Sequence, residues 1–214
     1  MLLFGNNLDA PTIIGIFIAV LMGMTVHEFA HNYVAHLMGD PNPSRQGRLT
    51  LDPSVHIYWP GFIMFLLIGF GILGTAPIAA HRMRNPRWGY FAAVAAGPFS
   101  NLLLAIVFSI PLRLIDLPTS IAAVGGMIVF WNVLLFVFNL LPFFPIDGWH
   151  LVLALLPPDL AIWWDKNKQN SQYVLLGLIL LSFMNIQGFN LLGRLIFDPT
   201  LRILDVLRVT ELIF

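Results

Sequence analysis

His27, Glu28 and His31 stand together in GMTVHEFAHNYVAHLMG, residues 23–39, as an H-E-x-x-H pattern. On a helix, positions i and i+4 differ by about 40° of rotation, so both imidazoles project from one face. They can offer two nitrogens to one tetrahedral metal ion. Glu28 lies beside them, where it can take a proton from water as a general base without being a ligand. The chemistry this spacing supports is zinc-assisted hydrolysis.

A catalytic zinc wants a third protein ligand and one open position. Cysteine is absent from the chain, so thiolates are excluded. The extended pattern with a third histidine fails, because Val34 and Leu37 occupy the Gly and His positions, and the only other glutamate is Glu211. An aspartate is left. Asp40 and Asp52 sit in Pro-rich loops, and Asp116, Asp159, Asp165, Asp198 and Asp205 fall at the ends of apolar runs, where solvated acids are ordinary. Asp147 alone lies inside a broken apolar segment, between Ile146 and Gly148.

The elements that must hold these groups are written in the hydropathy. The chain of 214 residues is 58% hydrophobic and 10% charged, a membrane composition when set against about 25% charged for soluble domains. Runs long enough for a helical span of about 17–25 residues cover 11–38, 57–76, 88–115, 119–156 with a break, and 171–197. The first run has no basic residue before it and no small-residue cleavage pattern after it, so it reads as a retained span. The fourth is interrupted by Pro142, Pro145 and Gly148 in NLLPFFPIDG. Each proline removes a donor and clashes with the turn before it, and broken backbone at membrane depth survives only against protein or a wet cavity. Residues 139–148 are therefore a site candidate.

Between the runs, 40–56 reads as a loop with a short extended piece from Arg48 to Asp52, and 74–89 as a second loop. No internal repeat or low-complexity tract appears. The expected fold is all-α: one polytopic membrane domain over 1–214, with about five to six membrane segments, one broken around 139–148. Eleven basic residues balance eleven acidic ones, which gives no electrostatic case for nucleic acid as a partner. The basic residues divide evenly between alternate loops, so the charge rule does not orient the chain.

Groups such as His27, Glu28 and His31 are costly in a bilayer, at about 2.5–3.5 kcal/mol for a charge on insertion scales. A metal ion compensates all three at once. HEFAH at 27–31, GPFSN at 97–101 and NLLPFFPIDG at 139–148, in this order and on successive runs, resemble the site-2 protease family of intramembrane zinc metalloproteases. The likeness is to its short prokaryotic members without a PDZ domain. Many relatives carry a helix or sheet before the histidine motif, so this chain looks like a minimal form.

The resemblance implies one zinc ion per chain held by His27, His31 and Asp147, with Glu28 catalytic and Asn139 as the motif asparagine. It implies endopeptidase cleavage within or near the spans of other membrane proteins, in a multi-pass protein of a prokaryotic plasma membrane. Asn139 has two readings. It either holds the opened substrate strand or bonds its own broken backbone. Asn101 and the small residues Ala95, Ala96, Gly97 and Ser100 suit close helix packing. His36 reads as interfacial, and His56, His81 and His150 as interfacial or satisfied imidazoles, although His150 is near enough to Asp147 in sequence to support it. Rival functions are a silent protein of the same fold that retains client helices, and a divalent-ion transporter. The first has no use for an acid beside a metal, and the second wants more deep acids than Glu28 and Asp147.

Overall fold

The computed structural model of the chain describes residues 9–68, 71, 74, 76–183 and 191–213. Its helices, among the described residues, are α1 (Ala10–Leu37), α2 (Asn42–Arg45), α3 (Pro53–His56), α4 (Trp59–Ile68), α5 (Pro86–Leu114), α6 (Thr119–Asn139), α7 (Asp147–Leu155), α8 (Pro158–Lys166), α9 (Lys168–Phe183), α10 (Leu191–Val206) and α11 (Thr210–Ile213). No strand forms among these residues. Extended pairing is limited to one antiparallel bridge between Ile57 and Gly74, and the extended piece expected at Arg48–Asp52 finds no partner strand.

Three helices are long and apolar enough to cross a membrane: α1 with 28 residues, α5 with 29 and α6 with 21. At 1.5 Å per residue they run about 42, 44 and 32 Å, against a hydrocarbon core of about 30 Å. The expected run 57–76 becomes the ten-residue α4, and residues 69, 70, 72, 73 and 75 of that run lie outside the described residues. The expected run 171–197 falls on two helices, α9 and α10, of 16 residues each, with residues 184–190 outside the described residues. A count of apolar residues cannot see such a division, and α10 also carries Asp198, Pro199 and Arg202. The break in the fourth run is found where the prolines demand it. α6 ends at Asn139 and the chain becomes helical again at Asp147.

Local chemistry sets the ends of the helices that matter for the site. Asp9 caps α1 by accepting the Thr12 N–H at 3.0 Å, and Pro11 sits in the first turn, where a missing N–H is harmless. At the other end Gly39 takes a φ of 109°. Its N–H donates to His36 O and that of Asp40 to Ala35 O, each at 3.0 Å, closing a Schellman motif. Asn85 caps α5 by accepting the Trp88 N–H at 3.2 Å.

α1, α5 and α6 pack on one another pairwise, α7 lies against α5 and α10 against α6. One apolar cluster joins α1 and α6 to α4 through Val20, Phe62, Phe65, Ile128 and Trp131, and a second joins α5, α6 and α10 through Ala105, Val129, Val133 and Leu204. On α5 the residues Phe99, Leu103, Val107, Ile110 and Leu114 form an exposed apolar stripe at helical spacing, while Asn101 on the same helix is fully buried. Apolar outside and polar inside is the arrangement a bilayer selects. Lipid is as apolar as leucine, so helices there are held by close packing and interhelical hydrogen bonds of about 0.6 kcal/mol on average.

Candidate metal centre

α1 carries the histidine motif in its second half, with His27 and His31 each 3% exposed and Glu28 4%. α7 brings Asp147 to the same point as its first helical residue. Gly148 makes this approach possible, because a Cβ there would stand 2.3 Å from Leu141 O and 2.4 Å from Leu140 O. The start of α7 is thereby seated on the carbonyls that end α6.

The atoms that converge are His27 Nε2, His31 Nε2 and Asp147 Oδ2. The two nitrogens are 2.9 Å apart, and the carboxylate oxygen lies 3.1 Å from the first and 3.2 Å from the second. The far side of each ring decides its tautomer. His31 Nδ1 donates to the backbone carbonyl of Ala93 at 2.8 Å. Pro98 lies on the next turn of α5 and withholds the N–H that Val94 O would otherwise accept. His27 Nδ1 stands 2.7 Å from Asn101 Oδ1 and donates to it. With both Nδ1 atoms protonated, both Nε2 atoms of the neutral rings present lone pairs. With Asp147 Oδ2, three acceptors then face one another, and positive charge must stand among them.

That arrangement calls for a cation. Ligand atoms around a tetrahedral zinc stand about 3.3 Å apart, given bonds of roughly 2.0–2.2 Å, close to the separations found here. The space is also kept free. A Cβ on Gly97 of α5 would lie 2.3 Å from His31 Nε2 and 2.8 Å from His27 Nε2, so only glycine leaves room between the histidines and α5. The donor set, two imidazoles and a carboxylate, suits zinc.

Glu28 completes the site with a buried carboxylate whose Oε2 has no partner among the described residues. Gly74 lies directly against it, since a Cβ at that position would stand 2.7 Å from Glu28 Oε1. One turn further along α1, Asn32 donates to the Glu28 carbonyl at 2.7 Å. Asp147 retains 19% side-chain exposure, although its Oδ2 at the centre is buried.

Other residues singled out in the sequence fall further from these atoms. Asn139, half buried at the end of α6, donates to Leu135 O at 2.9 Å on its own helix. His150 receives or gives a hydrogen bond with Tyr90 OH at 3.0 Å, joining α7 to α5. His56 is buried and bonds Thr50 O through Nε2 at 2.6 Å, while its Nδ1 has no partner among the described residues. His36 and His81 are exposed. Asp40, fully buried, accepts the N–H groups of Asn42 and Ala79 and so ties the second loop to the end of α1. Sequence reasoning passed over Asn132, whose signal was an unexplained amide inside the run TSIAAVGGMIVFWNVLLFVFN. It gave Gly97 a packing role only.

The chain is 36% identical over 150 residues to YwhC of Bacillus subtilis, named as a candidate zinc metalloprotease, over 66% of this chain and 68% of that one. It is 28% identical over 194 residues to Rip2 of Mycobacterium tuberculosis, over 86% of this chain and 74% of that one. With sll0528 of Synechocystis it shares 27% identity over 201 residues, 93% of this chain but 43% of that protein. Both carry the same description. No family model matches the chain, and no solved structure matches it. The chain belongs to the site-2 protease family of zinc metalloproteases.

Proposed function

We propose that this protein is a zinc-dependent intramembrane endopeptidase that cleaves other membrane proteins within or near their spans. Residues 1–214 act as one metalloprotease domain, multi-pass in a prokaryotic plasma membrane, with α4, α9 and α10 contributing membrane segments beside the three long helices. The observation that carries the reading is the meeting of three atoms able to ligate a metal, His27 Nε2, His31 Nε2 and Asp147 Oδ2, within 3.2 Å of one another, next to a buried glutamate. The helix supplying the first two is long enough to cross a bilayer.

His27, His31 and Asp147 would hold the zinc, which when bound supplies Lewis acidity toward water and toward a peptide carbonyl. Glu28 takes a proton from the attacking water on Oε2, the oxygen with no partner among the described residues, and returns it to the departing amine nitrogen. Burial of Glu28 keeps its proton transfers directed at the reacting groups instead of at bulk water. Asn139 keeps one N–H and its carbonyl oxygen free of the bond to Leu135 O, and these hold the opened substrate strand. The partners are membrane proteins with a span to offer, met in the lipid bilayer.

Purified protein, analysed for metal and incubated with a panel of single-span substrates, tests this. About one zinc per chain and cleavage of at least one substrate are expected. A metal-free protein that binds no added zinc and cuts none of them would remove the reading.

A further inference from the structure

Beyond the ligands, the largest buried polar construction in the described residues runs from His27 across α5 to α6. Asn101 Oδ1 is 2.7 Å from His27 Nδ1. Asn101 Nδ2 donates to Gly23 O and to Asn132 Oδ1, each at 3.0 Å. Asn132 Nδ2 in turn donates to Ile128 O at 2.9 Å. Asn101 and Asn132 are both 0% exposed, so no water competes for these atoms.

The direction of every bond in this chain is forced. The Ile128 and Gly23 carbonyls can only accept, so each must face an amide N–H. At Asn132 this turns Nδ2 toward Ile128 and leaves Oδ1 for Asn101. At Asn101 the two N–H groups are then spent on Gly23 O and Asn132 Oδ1, and only Oδ1 remains for His27. An oxygen there accepts and never donates, so His27 Nδ1 must carry the ring proton. Nε2 is left bare on the side that faces His31 and Asp147.

The spacing leaves no slack for a different arrangement. A Cβ on Gly23 would lie 2.8 Å from Asn132 Oδ1 and 3.4 Å from Asn101 Nδ2, so α1 meets the two amides with bare backbone. A polar network of this kind in an apolar interior is costly unless every member is satisfied. Here both Asn101 N–H groups, one N–H of Asn132 and both amide oxygens have partners.

We infer that Asn132 and Asn101 are positioning residues of the metal centre: a two-amide relay, anchored on the carbonyls of Gly23 and Ile128, that locks His27 in its Nδ1–H tautomer. Asn132 touches neither the metal ligands' reacting atoms nor the substrate, and acts through Asn101. The inference rests on the zinc reading above for its purpose. The tautomer it predicts belongs to the metal-free protein and can be read without zinc.

The test uses full-length protein in detergent. With ring nitrogens labelled in ¹⁵N, and with the His27→Gln protein as reference to assign the signal, the metal-free wild type should show His27 protonated at Nδ1. A proton on Nε2 with Nδ1 bare overturns the relay, whether or not the protein binds zinc. The second arm compares Asn132→Leu with Asn132→Asp. Leucine is of similar size and breaks the relay. A neutral aspartic acid keeps an oxygen toward Asn101 and an O–H toward Ile128 O. Chelator competition should show zinc binding weakened by roughly 10–100-fold in the Leu variant and restored to within a few fold in the Asp variant, with an altered cobalt(II) spectrum for Leu alone. Helix content and melting temperature are measured on both. A Leu variant that binds zinc as the wild type does, with an unchanged cobalt spectrum, overturns the proposal. So does an affinity loss that the Asp variant shares in full while both variants remain folded. A wild type that shows the Nδ1–H tautomer yet binds no zinc would leave the relay standing and remove the zinc reading.

Discussion

Glu28 offers a carboxylate oxygen with no partner among the described residues, and it takes no part in the triad of converging atoms formed by His27, His31 and Asp147. Its replacement separates base from ligand. Glu28→Gln should lose hydrolysis by at least roughly 100-fold, the scale of a positioned general base, while keeping zinc at the wild-type stoichiometry measured by metal analysis. Asp147→Ala should lose zinc and activity together, and Asp147→Asn should keep weak binding through its remaining oxygen. Full zinc in the Asp147→Ala protein would show that another group closes the site. Gly97→Ala inserts a methyl 2.3 Å from His31 Nε2 and should weaken zinc at least roughly tenfold in chelator competition, although it adds one carbon to a helix that prefers alanine. These residues were not equally legible. Asp147 could be reached by elimination because the chain has no cysteine and one other glutamate besides Glu28. Asn132 and Gly97 could not, since an amide or a glycine in an apolar run says nothing of the atom it will face across a helix interface.

At the scale of elements, the site depends on holding α7 to α5. Arg87, at the start of α5, donates through Nε to Ala154 O at 2.7 Å and through Nη2 to Leu155 O at 2.8 Å, so it satisfies carbonyls that the end of α7 leaves free. Asp147 lies at the opposite end of that helix. Arg87→Ala should lower stability by about 1 kcal/mol, read as a fall in melting temperature, and should weaken zinc binding through looser placement of Asp147. An unchanged zinc affinity would make the contact a matter of stability alone. The break that separates α6 from α7 was readable because two prolines within four residues cannot continue a helix. The long helices α1, α5 and α6 were readable because their apolar runs match the bilayer. The division of 171–197 was not, because hydropathy measures what a residue avoids and not where the backbone turns.

For the whole molecule, the apolar stripe on α5 faces outward while Asn101, Asn132 and the motif histidines are buried, so under the proposed function a client span would come through lipid. A peptide bond in a stable membrane helix has its carbonyl already bonded, and reaching it requires local unwinding. A client span with Gly or Pro near the cut should therefore be cleaved faster than the same span with Leu there, Gly costing a helix about 1 kcal/mol and Pro about 3 relative to Ala. Asn139→Ala should slow both by loosening the hold on the opened strand. Equal rates for the matched pair in bilayers would point to a cut in a juxtamembrane loop. The central claim, hydrolysis by a zinc centre with Glu28 as its base, is tested most directly by one comparison. Wild-type and Glu28→Gln proteins, both assayed for zinc, are incubated with the same single-span substrate before and after chelation and zinc return. The account predicts equal zinc in both, cleavage by the wild type only, loss on chelation and recovery with zinc. Cleavage by the zinc-loaded Glu28→Gln protein at the wild-type rate would contradict it.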